Sequence, residues 1–117
     1  MVCDDEPDIR LLYRTAFEAT GSAVAIARDG LECLDLLDDF VPELVVLDLR
    51  MPQLDGFATL EEMRHVAPDV HVVVVSAYAS PDNRARAEQL GAEQCFSKLE
   101  FLGAIPGLVS AYASAGN

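Results

Sequence analysis

The chain contains no tryptophan, and aromatic residues make up only 7% of it. Basic residues are also few: 8 Lys and Arg stand against 20 Asp and Glu, for a formal net charge of −12. That balance disfavours direct contact with nucleic acid or anionic membrane, whose phosphates would be repelled. It suits a protein that binds cations, although most of the acids simply keep the surface soluble. Long hydrophobic runs are missing. The longest strongly apolar run, residues 72–75, is strand-sized, far short of the roughly 20 residues of a membrane span. The N-terminus is acidic and lacks the basic region of a secretory leader, so a cytoplasmic location is expected. Cys3, Cys33 and Cys95 are odd in number and lack metal-ligand spacing, which predicts reduced, mostly buried thiols. The two histidines, His65 and His71, lie away from the carboxyl ends of the predicted strands and read as peripheral.

What is present is apolar and patterned. Hydrophobic residues make up 51% of 117 residues, enough for one domain with a real core and too few for two. The stretch LVVLDLRMPQLDG, residues 44–56, organises the rest. Its opening run, Leu44-Val45-Val46-Leu47, reads as a strand covered on both faces. The run ends on Asp48, and Pro52 and Asp55-Gly56 then signal a loop and turn. Asp48 is thus predicted at the carboxyl end of a buried strand, the edge where open α/β sheets bind ligands. A second acidic pair, Asp4-Asp5, closes the short apolar start Val2-Cys3. Three carboxylates on neighbouring strand ends repel unless a cation or proton intervenes. Hard cations such as Mg²⁺ are held by one or two carboxylates plus waters and phosphate oxygens.

Along the chain, strands are predicted at Val2-Cys3 and over 23–27, 43–48, 70–75 and 93–97, with helices between them and after the last. Pro7 suits a first helical turn, capped near Asp5 or Glu6. Ile9, Leu12, Tyr13, Ala16 and Phe17 form the apolar stripe of that helix. Gly21 follows as a stop. Asp29-Gly30 leads into a second helix whose inner face is Leu31, Leu34 and Leu37. A third helix, 57–64, packs through Phe57, Leu60 and Met63. Ser80-Pro81 is an N-cap with proline in the first turn of a fourth, which ends near Leu90-Gly91. The last helix carries Gly103, Pro106 and Gly107, and interior proline costs about 3 kcal/mol. A kink or a split near Pro106 is therefore expected, with Leu102, Ile105, Leu108, Val109 and Tyr112 as its apolar stripe. Residues 114–117 are expected to fray. Strand and helix alternate five times with short links, which implies a parallel sheet, right-handed crossovers and helices on both faces.

Cys3-Asp4-Asp5-Glu6-Pro7, Asp48-Leu49-Arg50-Met51-Pro52 with Asp55-Gly56, Ser76-Ala77 and Lys98 occur in that order, each after a strand-like run. In these motifs, nearly the whole chain resembles the receiver domain of two-component response regulators. The resemblance implies a single receiver domain over 1–117, doubly wound, with the flavodoxin-like strand order 2-1-3-4-5 and a short first strand. A member of this family is the standing example of that order, so the order is not an independent derivation. The resemblance further implies Asp48 as phosphoacceptor, Asp5 and Asp48 as direct Mg²⁺ ligands, Asp4 as a ligand through water, and the Arg50 backbone carbonyl as another. Lys98 and the Ser76 hydroxyl would hold phosphoryl oxygens. The donor would be the phosphohistidine of a kinase or phosphotransfer protein, and the output a downstream protein or fused effector. The chain would catalyse only its own phosphorylation and dephosphorylation. A carboxylate can indeed attack phosphorus to form an acyl phosphate, a reaction that mainly needs positioning and charge neutralisation.

Three features depart from the family pattern. Leu99 replaces the usual proline after Lys98, Cys95 occupies the aromatic switch position, and helix breakers sit in the last helix. With Cys95 too small to act by rotating, Tyr78 is the candidate lever of a Ser76–Ser80 loop movement, or else a shield over the acyl phosphate; Phe96 points to the opposite face by strand alternation. Two other functions remain open. One is a degenerate receiver that binds a partner without phosphorylation, which Leu99, Cys95 and the short first strand favour and the intact Asp4, Asp5, Asp48, Ser76 and Lys98 set disfavours. The other is a phosphatase of the haloacid dehalogenase type, which would need an acid two residues after the nucleophile, where Arg50 stands.

Overall fold

A computed structural model describes residues 1–50 and 55–112. The element order is β1 (Val2–Cys3), α1 (Pro7–Glu18), β2 (Ile26–Ala27), α2 (Gly30–Asp39), β3 (Leu44–Asp48), α3 (Gly56–Val66), β4 (His71–Ser76), α4 (Pro81–Gln89), β5 (Gln94–Ser97) and α5 (Lys98–Tyr112). The strands form one parallel sheet in the order β2-β1-β3-β4-β5, as expected. β2 is shorter than the predicted 23–27, because β1 offers only Val2 and Cys3 as ladder partners. The expectation for 114–117 falls outside the described residues, as do Met51 and Pro52.

Alternation along the strands sorts the core into two layers. Cys3, Val45, Leu47, Val72, Val74 and Cys95 face one side, with Cys33 and Leu37 of α2, Leu60 and Met63 of α3, and Ala87 of α4. Val2, Leu44, Val46, Val73 and Val75 face the other, with Tyr13 and Phe17 of α1 and Phe101, Ile105 and Leu108 of α5. Phe96 packs on this second layer, opposite Cys95, as a period of two requires. Most of these side chains are almost wholly removed from water, and each Val, Leu, Ile, Phe or Met among them contributes about 1.5–3 kcal/mol relative to exposure.

Helix ends mostly follow their predicted signals, although Glu6 at the start of α1 makes no side-chain cap to the described residues. Asp29, Asp55 and Ser80 each accept a backbone N–H at the third position of the helix that follows. Gly21 and Gly91 take φ of 89° and 103°, the left-handed region that glycine enters without a Cβ penalty. Two helix faces differ from expectation. Leu12 is exposed although Tyr13 is buried as expected, and Leu31 is exposed while Cys33 joins Leu37 on the inner face of α2. Both helices carry adjacent apolar residues, so more than one stripe fits the period. Nor is α5 split: it runs unbroken through Pro106. Three buried side chains on its inner face, Phe101, Ile105 and Leu108, offset the lost backbone donor.

Candidate functional site

The site is built at the carboxyl edge of β1, β3, β4 and β5. The register Cys3↔Leu47 sets Asp4 beside Asp48. Both are almost fully buried, at 1% and 2% exposure. Asp4 Oδ1 accepts the Glu6 N–H at 2.9 Å, and the Asp4 carbonyl accepts Arg10 Nη1 at 2.8 Å. Asp48 Oδ1 accepts the Arg50 N–H at 3.1 Å. Asp48 Oδ2 is buried and accepts no hydrogen bond from the described residues. What faces it is Lys98, the only lysine in the sequence. Its Nζ lies 3.7 Å from Asp48 Oδ2, 3.8 Å from Asp4 Oδ2 and 3.5 Å from Glu6 Oε1.

One ammonium thus serves three acids, and the edge is short of positive charge. Burial, and then the neighbouring Asp4 charge, push the Asp48 carboxyl up to about 7, against the pull of the Arg50 amide and Lys98. Burial likewise raises Asp4. Burial works against the Lys98 ammonium, but Asp48, Asp4 and Glu6 outweigh it and hold that group above the ordinary lysine value. Carboxylate oxygens of Asp4, Asp5 and Glu6 lie within 4.8 Å of one another. An acid cluster with an unsatisfied buried oxygen beside it fits a hard divalent cation, which takes oxygen ligands and tolerates retained waters.

Ser76 ends β4, next to β3 across the register Asp48↔Val75. Its hydroxyl is turned into its own loop, donating to the Tyr78 carbonyl and accepting the Tyr78 N–H, both at 3.1 Å. Tyr78 itself is 76% exposed. Leu49, Arg50, Phe57, Ser76, Ala77, Tyr78 and Asn83 line a shallow cavity of about 310 Å³ at this edge. Gly56 closes the loop that leaves Asp48: its N–H donates to the Leu49 carbonyl at 3.1 Å. A Cβ there would stand 2.4 Å from Leu49 Cα and 2.6 Å from the Asp48 carbonyl oxygen, so only glycine lets α3 start this close to the strand end.

The response regulator receiver domain family matches residues 1–105. The chain belongs to that family. It is 35% identical over 92 residues to the regulatory protein AtoC of Escherichia coli, covering 79% of this chain and 20% of that protein. It is 32% identical over 98 residues to sporulation initiation phosphotransferase F of Bacillus subtilis, covering 84% of this chain and 79% of that one. It thus spans about a fifth of the first relative's length and about four fifths of the second's. The receiver domain of NtrX from Brucella abortus superimposes with a TM-score of 0.87 at 28% identity, over 94% of this chain and 93% of that one. The chain is a receiver domain of the two-component response regulator type, a signalling domain, and among its described residues no helix is long and apolar enough to cross a membrane.

Against the receiver pattern, the departures take definite form. Lys98 is the first residue of α5 rather than part of a proline turn. Ser97 and Glu100 form a reciprocal capping box around it: the Ser97 N–H donates to Glu100 Oε1 at 2.9 Å and the Glu100 N–H to Ser97 Oγ at 3.3 Å. Leu99, at 98% exposure, packs against nothing. Cys95 is buried under α4, where burial raises its thiol pKa. Sequence reasoning missed Glu6 as a partner of Lys98, although it adjoins the acidic pair. The Ser-x-x-Glu spacing of the capping box was also present in the sequence as a signal.

Proposed function

We propose that Asp48 accepts a phosphoryl group from a phosphohistidine on a kinase or phosphotransfer protein, and that the adduct alters a surface read by a downstream protein or fused effector. The single observation that carries this is Asp48 Oδ2: buried, without a hydrogen bond among the described residues, and 3.7 Å from Lys98. Oδ1 is held by the Arg50 amide, so the carboxylate is oriented with one oxygen free to react. A P–O bond forms to Oδ2 as the P–N bond to the donor imidazole breaks, and the bonding pair leaves with the imidazole nitrogen. Water later attacks the acyl phosphate, releasing inorganic phosphate and restoring the carboxylate. Lys98 neutralises one phosphoryl oxygen, and Ser76 donates to another after breaking its bond to the Tyr78 carbonyl. Mg²⁺, when bound, supplies charge neutralisation for the transferring group. Asp5 and Asp48 would hold it directly, Asp4 through water and Arg50 through its backbone carbonyl, with Glu6 beside them. On this reading the chain is one receiver domain over 1–117, acts in the cytoplasm, and turns over no substrate other than its own acyl phosphate. Tyr78 then serves as the lever of the 76–80 loop, or shields the adduct.

Incubation with Mg²⁺ and acetyl phosphate, followed by intact-mass measurement, tests the reading. The wild type should gain one phosphoryl group and Asp48→Asn none, and Asp5→Ala should weaken Mg²⁺ binding. An adduct that persists in Asp48→Asn would sink the assignment. A wild type that never gains mass would favour a receiver that signals without phosphorylation, the reading that Leu99 and Cys95 support.

A further inference from the structure

Arg84 lies on α4, outside the acidic edge, yet it gathers three elements that bracket it. Its Nε donates to the Ala79 carbonyl at 3.1 Å, in the loop that leaves Ser76. Its Nη1 donates to the Cys95 carbonyl on β5. Its Nη2 donates to Glu100 Oε1 at 2.9 Å, in the first turn of α5. The same Glu100 oxygen accepts the Ser97 N–H at 2.9 Å. Lys98 stands between Ser97 and Glu100, so the guanidinium acts on the backbone that carries Lys98 through one intermediate residue.

Among the described residues, no other outer-side side chain bonds all three of these elements. Leu99 is 98% exposed and anchors nothing. The first buried side chain of α5 is Phe101, on the opposite layer of the sheet. On stability alone an ion pair this exposed counts for little, because Arg84 is 42% and Glu100 49% exposed and solvent screens their attraction. Arg84 is distinguished by its geometry. A planar fork bound to three acceptors on three elements has few ways to move without breaking a bond. Its Glu100 bond also raises Arg84 and helps the Ser97 amide hold Glu100 below the usual carboxylate range.

We infer that Arg84 is a positioning residue for the acceptor site: through Glu100 and the Ala79 carbonyl it fixes Lys98 relative to the Ser76 loop. This rests on the reading of Asp48 as the phosphoacceptor, but its test does not depend on it alone. Because the chain has a single lysine, the Lys98 Cε methylene gives one nuclear magnetic resonance signal. The order parameter of that signal in the metal-free protein reports how firmly the side chain is held. Wild type, Arg84→Gln, Glu100→Gln and the Arg84→Gln/Glu100→Gln pair are compared, all checked for unchanged fold by circular dichroism. Glu100→Gln keeps an oxygen for the Ser97 cap and removes the charge.

The Lys98 order parameter is expected to fall in Arg84→Gln, whose amide cannot span three acceptors. The phosphorylation rate at saturating acetyl phosphate and Mg²⁺ should fall about ten-fold, below the roughly hundred-fold that a full ångström of misplacement can cost. The Mg²⁺ dissociation constant should be unchanged. The double variant should lose no more than Arg84→Gln alone, as expected for two residues acting in series. An unchanged Lys98 order parameter in Arg84→Gln overturns the inference, whether or not the wild type accepts phosphate. Additive losses in the double variant overturn it as well. A wild type that takes up no phosphoryl group refutes the reading of Asp48, and the order parameter still decides on Arg84.

Discussion

The helices α4 and α5 both lie against β5, and they are held there by different forces. α5 buries Phe101, Ile105 and Leu108. Phe101 meets three rings, with centroids 4.9 Å from Tyr13, 5.7 Å from Phe96 and 6.3 Å from Phe17. α4 buries only Ala87. Its attachments are polar: the Ser80 cap, the Arg84 fork, and Arg86 over the Phe57 ring at 4.2 Å. Burial stabilises in proportion to area and tolerates small displacements. Hydrogen bonds contribute about 1 kcal/mol each and need their geometry. The element joined to the Ser76 loop is therefore the one that separates at least cost, and the element that carries Lys98 is anchored on its inner face. A switch needs this division: one part that stays, and one drawn from the low-stability end of the molecule.

The largest test of the comparison is Phe101→Ala. Removing a fully buried ring should cost about 3–5 kcal/mol, read as a lower urea midpoint with little change in slope. A loss below about 1 kcal/mol would break the comparison, because α5 would then be no better anchored than α4.

The next effect belongs to the acidic edge and separates its pH behaviour from that of the apolar layer. Asp48, pushed up to about 7 by burial and by Asp4, holds its proton more tightly folded than unfolded, where the value is near 4. The folded state gains from this group below about pH 4 and loses that gain as pH rises through about 7. The stability of metal-free wild type relative to Asp48→Asn should therefore fall by roughly 2–4 kcal/mol between pH 4 and pH 8. The stability lost in Phe101→Ala should not vary with pH over the same range. Denaturant titrations of all three proteins across pH check this. A wild-type-to-Asn difference that stays flat with pH would mean that the buried carboxylates are already neutralised.

Much of this was legible in the sequence where one residue type interrupts another. Asp48 after Leu44–Leu47 and Ser76 after Val72–Val75 mark strand ends, because a carboxylate or hydroxyl stops a buried apolar run. Phe96 opposite Cys95 follows from the period of two. Helix faces were less legible where apolar residues are contiguous: Leu12 and Tyr13 both fit the inner stripe of α1, and against the sheet Tyr13 is buried while Leu12 stays exposed. The Arg84 clasp was not legible at all. Its acceptors lie in three different elements, two are backbone carbonyls, and no local spacing marks them. The strand order came through family resemblance, and the alternation of elements alone implied no more than a parallel, doubly wound sheet.

The smallest effect concerns Pro106, where local preference and burial compete inside one helix. Proline has no N–H, so the Leu102 carbonyl, four residues earlier, receives no bond from position 106, and the ring crowds that carbonyl. Sequence preference alone therefore favours a break. The helix nevertheless continues from Lys98 to Tyr112, with Ile105 and Leu108 buried on either side of the proline. Pro106 is exposed, so alanine there meets no packed neighbour and supplies the missing donor. The gain should be about 2 kcal/mol: roughly 3 kcal/mol of helix preference recovered, less up to about 1 kcal/mol because alanine leaves the unfolded chain freer. Urea denaturation of Pro106→Ala measures it directly. In Pro106→Ala/Phe101→Ala the gain should offset only part of the loss, leaving a net cost of about 1–3 kcal/mol if burial is what carries α5 past the proline. If Pro106→Ala instead leaves stability unchanged, the helix has already accommodated the ring without cost, and the anchoring of α5 by its inner face is weaker than the comparison with α4 requires.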